Sequence, residues 1–122
     1  MDLQTALDGM MDSKAKLQTP QGVGSLTVMS ENMQRLAAYT SAVEDNLADY
    51  EYELEITERD AYYEEIKKGL KPSPAEREAK YAVADQKGQI KRLVRLVNSS
   101  WKLIDTVRSR YNHLNSETKG QI

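Results

Sequence analysis

The chain has 122 residues, with 30% charged and 39% hydrophobic side chains, a net charge of −2, and neither Cys nor Phe. Without Cys there is no disulfide framework and no thiolate zinc site. No apolar run approaches the roughly 18 residues of a membrane span, and the first residues lack a signal-like apolar stretch. A soluble, cytoplasmic protein of one domain at most, built from long solvated helices, is the expectation.

Residues 1–25 read as an N-terminal arm. A short helix after Asp2 places Leu3, Leu7, Met10 and Leu17 near one face, and Thr19-Pro20-Gln21-Gly22-Val23-Gly24-Ser25 breaks it as a linker. Residues 26–122 read as a second region. Here Leu26, Met29, Met33, Leu36, Thr40, Val43, Leu47, Tyr50, Leu54, Thr57 and Ala61 recur at steps of three and four, a heptad seam. This helix is expected to end near Lys68, with Gly69 at its C′ position and Pro72 beyond.

A second long helix is expected over Ser73–Leu114. Ser73 and Glu76 have capping-box spacing around Pro74. Its seam is Ala79, Val83, Gln86, Ile90, Leu93, Val97, Ser100, Ile104, Val107, Tyr111 and Leu114. At 1.5 Å per residue each helix is about 60 Å long. Leu26–Lys68 holds four basic and eleven acidic residues, whereas Ala75–Leu114 holds nine basic and four acidic. One helix is therefore acidic and the other basic.

Folding the chain at Gly69–Ser73 brings the seams into register, because facing positions have numbers that add to 143 or 144. Leu54 meets Ile90, Leu47 meets Val97, and Thr57 with Gln86 forms one polar layer that could fix the register. Glu58 falls beside Lys87 and Glu65 beside Lys80. The expected fold is all-α: a long antiparallel, coiled-coil-like helical hairpin with a short N-terminal helix or arm.

The hairpin leaves apolar residues over. Val94, Leu96, Trp101 and Leu103 lie outside the narrow seam, and a band of that size marks an interface. The N-terminal helix or a second copy could cover it, and self-assembly into a homo-oligomer is favoured.

Of the basic residues, Lys91, Arg92, Arg95, Lys102, Arg108 and Arg110 could neutralise phosphates. Pairing with the acidic helix explains Lys80 and Lys87, but Lys91, Arg92, Arg95 and Lys102 lie on the face turned from the seam, where acids are scarce. Tyr52, Tyr62, Tyr63 and Tyr81 also fall outside the seam. They could stack on unpaired bases, though oligomer contacts or plain surface suit them better. The lone His113, near a helix end, has no acid or Ser at a spacing that serves catalysis. Acidic residues on the first helix lack loop-type metal spacing, and there is no phosphate loop or activated nucleophile. No enzyme, metal or cofactor is expected.

Three stretches, in order, resemble a known family: Arg59-Asp60-Ala61-Tyr62-Tyr63, Lys80-Tyr81-Ala82-Val83-Ala84-Asp85-Gln86-Lys87, and Leu103-Ile104-Asp105-Thr106-Val107-Arg108-Ser109-Arg110. Across roughly residues 33–114 they are similar to the UvsY-type recombination mediator proteins of large tailed phages. The turn and the Asp85–Ser109 segment are shorter than that family's, and the N-terminal quarter shows no likeness. The resemblance implies a helical, oligomeric, non-enzymatic protein of the host cytoplasm. Such a protein binds single-stranded DNA and helps load a strand-exchange recombinase onto DNA covered by single-strand binding protein. The competing expectation, favoured by the negative net charge and the shortened helix, is a protein-only adaptor or inhibitor, such as a phage counter-defence or assembly factor, whose hairpin docks on a partner.

Overall fold

The computed structural model describes residues 1–19 and 24–120, side chains of 118–120 excepted. Among these residues the structure is all-helical: α1 (Leu3–Leu17), α2 (Leu26–Lys67), α3 (Pro72–Ala82) and α4 (Ala84–Gly120). Of the expected linker, Pro20–Val23 lie outside the described residues. Long helix α4 packs against α2, the expected helical hairpin.

Each helix end has a local cause. Asp2 caps α1, its carboxylate accepting from the Thr5 N–H at 2.8 Å. Ser25 caps α2: its Oγ accepts from Val28 N–H at 3.1 Å and its carbonyl from Met29 N–H at 2.9 Å. Neither Gly nor Pro interrupts the 42 residues of α2. At its end Gly69 takes φ +97° as expected. The Gly69 N–H bonds to the Ile66 carbonyl and the Leu70 N–H to that of Glu65, closing a Schellman motif.

Two expectations about the second half need correction. Ser73 is not the cap. Lys71 is, extended and without a side-chain bond, and Pro72 opens the helix. Pro72 and Pro74 have no N–H to satisfy, so the first turn needs little capping. Nor is the second helix continuous, since Val83 (φ −113°, ψ 11°) separates α3 from α4. Its N–H turns to the Tyr81 carbonyl, while its own carbonyl accepts from Lys87 N–H and starts α4. A β-branched residue loses little by leaving a helix, and Val83 keeps its side chain fully buried in the seam.

The residues form two compact units. The first combines Met1–Asp45 with Arg95–Ile122. Its core takes Ala6, Met10 and Leu17 from α1, Met29, Leu36 and Val43 from α2, and Val97, Ile104 and Val107 from α4. Thus α1 is one wall of a three-helix core. Gly9 permits its close approach, because a Cβ there would come within 2.4 Å of the Tyr39 ring.

The second unit, Asn46–Val94, contains the turn, α3 and the adjoining parts of α2 and α4. Its buried apolar residues are few: Leu47, Ala75, Ala79 and Val83. The polar layer expected to set register is not buried, as Thr57 and Gln86 are both exposed. Thr57 instead bonds back to the Glu53 carbonyl. Glu65 holds Lys68 at 3.4 Å rather than Lys80. The Glu58–Lys87 pair does form, at 3.1 Å.

Candidate nucleic-acid interface

In the first unit, α4 buries Val97, Ser100, Ile104 and Val107 along one stripe. Steps of three and four put these on one side. Arg95 and Lys102 fall on the opposite side, exposed, and Arg110 is exposed as well. Arg108 is exposed and paired with Asp105 at 3.7 Å, a surface contact of little energetic weight. In the second unit, Lys91 and Arg92 are also exposed on α4. Among the described residues, Lys91, Arg92, Arg95, Lys102 and Arg110 have no acidic partner.

The four apolar residues expected at a subunit interface are all half-buried. Val94 lies in the second unit. Leu96, Trp101 and Leu103 pack against the first unit's core, to which α1 contributes Ala6, Met10 and Leu17. The first unit's core, built from α1, α2 and α4, therefore takes up part of the surplus apolar surface. The Trp101 indole N–H also donates to the Glu44 carboxylate of α2. In each unit one cross-helix bond marks the register: Glu44 with Trp101, and Glu58 with Lys87. The numbers of either pair add to 145, one or two more than the seam's own.

Tyr52, Tyr63 and Tyr81 are exposed. The rings of Tyr62 and Tyr63 meet edge to face at 5.5 Å. They line an open cleft in the second unit with Glu55, Glu58, Arg59, Glu76 and Lys80, beside Pro72 and Ser73. His113 has an acid neighbour after all, since Glu117 lies one turn on at 3.1 Å. That pair is exposed at a helix end, where it stabilises the last turns at most.

One basic residue was missed in the sequence. Lys14 of α1 donates to Ser99 Oγ of α4 at 2.6 Å, and Ser99 donates to the Leu96 carbonyl. The available signal was its place in the series Leu7, Met10, Lys14, Leu17, which sets a lysine on the apolar face of a short helix. Its partner stands 85 positions away.

Among the described residues no His, Cys, Asp and Glu side chains converge as a metal site, and no helix is long and apolar enough to cross a membrane. Comparisons with protein-family models, curated proteins and solved structures give no match.

Proposed function

We propose that this protein is a non-enzymatic binder of single-stranded DNA, acting as a recombination mediator of the UvsY type that helps load a strand-exchange recombinase in the presence of single-strand binding protein. The observation that carries the reading is the row of exposed α4 cations without acidic partners, Arg95, Lys102 and Arg110 in the first unit and Lys91 and Arg92 in the second. Phosphates are the partner such residues serve, and phosphate contacts require no sequence reading. Each subunit offers few charges, so a homo-oligomer gains affinity by repeating them. The half-buried Val94, Leu96, Trp101 and Leu103 supply the apolar part of that association.

A salt-titrated assay with a labelled oligo(dT) strand tests it. Affinity should fall with salt at a log–log slope of about −0.7 per phosphate contact. Arg92→Glu with Arg95→Glu should abolish binding while leaving helical content intact. Binding by the wild type no different from that of an acidic control protein would sink the proposal. The cleft at Tyr62 and Tyr63 favours the second reading, a protein-docking adaptor, which then takes its place.

A further inference from the structure

Lys14 is a cation held where its packing gives it no counter-charge. Its side chain is half-buried between α1 and α4, and its partner is the neutral Ser99 hydroxyl rather than a carboxylate. Ser99 is itself fixed, its hydroxyl bonded to the Leu96 carbonyl at 3.2 Å. On α4, Arg95 precedes Ser99 by four residues and Lys102 follows it by three. Those spacings make surface neighbours on a helix, with Cβ atoms roughly 5–6 Å apart. The ammonium of Lys14 is thereby delivered between two exposed cations of α4.

Arg95 and Lys102 alone are seven residues apart, about 10 Å along the axis, so only the ends of their long side chains can meet at one anion, with nothing held between them. With Lys14 at Ser99, successive cations stand only about 5 Å apart along the axis. The nearby acids are paired elsewhere, Asp12 with Lys16 at 3.1 Å and Asp105 with Arg108 at 3.7 Å, and neither forms an ion pair with Lys14, Arg95 or Lys102. Three positive donors on neighbouring positions, one of them fixed at the Ser99 hydroxyl, match an oxyanion with several strong acceptor oxygens.

We propose that Lys14, Arg95 and Lys102, organised by Ser99, form a phosphate-binding site that exists only when α1 is docked. Under the nucleic-acid reading, on which the identity of the ligand rests, the phosphate belongs to the backbone of the bound strand. Binding at this site would tie α1 to α4, so a strand and the N-terminal helix stabilise each other's placement.

The test uses the full chain, isotopically labelled, titrated with inorganic pyrophosphate and separately with oligo(dT), reading the amide signals of Ser99 and Lys102. The wild type should show saturable shifts at both residues with each probe. Lys14→Gln should weaken both affinities about tenfold and make the oligo(dT) salt slope less negative by about 0.7. Lys14→Arg should retain most of the affinity, and Lys16→Gln should leave it unchanged. Wild-type affinity in Lys14→Gln, or no shift at Ser99 with pyrophosphate, overturns the site. Should Lys14→Gln fail to fold, Ser99→Ala decides instead, since it keeps all three charges and removes their organiser; unchanged binding there also overturns it. Pyrophosphate binding that needs Lys14 without any oligo(dT) binding keeps the site and removes the nucleic-acid reading. Oligo(dT) binding indifferent to Lys14 does the reverse.

Discussion

Two glycines inside helices show how one substitution can carry opposite signs. Glycine costs a helix interior roughly 0.5–1 kcal/mol relative to alanine. At Gly88 an added methyl meets nothing, so Gly88→Ala should stabilise by about that amount. At Gly9 the methyl would strike the Tyr39 ring, which must move for α1 to stay docked. Gly9→Ala should therefore lower the midpoint of urea unfolding, and a rise in both variants would refute this account of the α1–α2 contact. Thr40 and Ser100 offer a second residue-level test. Both hydroxyls are buried in the first unit without a hydrogen-bond partner. An unpaired buried hydroxyl costs about 1–3 kcal/mol, so Thr40→Val, which keeps the shape, should raise thermal stability. A fall of more than about 1 kcal/mol would show that the Thr40 hydroxyl is satisfied in solution.

At the scale of elements, α1 depends on a cap that titrates. The Thr5 backbone N–H, followed by the Thr5 side chain, holds the Asp2 carboxyl below its ordinary value of 3.8. A depressed carboxylate contributes its stability in full above the unfolded value, and that contribution is lost as pH falls through the folded one. The Thr5 amide should therefore keep its capped shift down through pH 4 and lose it below, and Asp2→Ala should show the uncapped shift throughout. The long helices were legible from their seams. Met29, Leu36, Thr40, Val43, Val97, Ser100, Ile104 and Val107 are all buried as their phase requires. That phase says which side of a helix is covered, but nothing about where backbone bonding pauses. The break at Val83, without Pro or Gly, was therefore not legible, and the exposure of Thr57 and Gln86 reflects the sparse burial of the second unit. At the candidate interface, the exposure of Lys91, Arg92, Arg95 and Lys102 followed from the same phase. Lys14 did not, because its role comes from a contact with Ser99 that no local pattern encodes.

Across the whole molecule, burial is unevenly shared. Of the fully buried large side chains, Met10, Met29, Leu36, Val43, Ile104, Thr40, Ser13 and Ser100 belong to the first unit, and Val83 alone to the second. The second unit relies on Leu47 and on small or partly covered residues such as Ala75, Ala79, Leu54 and Ile90. Each fully buried aliphatic or methionine side chain contributes roughly 1.5–3 kcal/mol, so the difference outweighs any exposed ion pair such as Lys67 with Glu64. Local opening free energies follow buried apolar packing and approach the global value only in the densest core. Native-state hydrogen exchange should therefore find two tiers. Amides of α3 and of residues 56–67 in α2 should exchange through openings well below the global unfolding free energy. Amides of residues 97–107 in α4 should exchange only by global unfolding, with protection that rises as Thr40→Val stabilises the core. The same substitution should leave α3 protection unchanged, because Thr40 lies outside the unit that opens. Equal protection in the two sets, or a Thr40→Val effect spread evenly over both, would mean that the chain unfolds as one cooperative block, and the unevenness of its core would then have no energetic consequence.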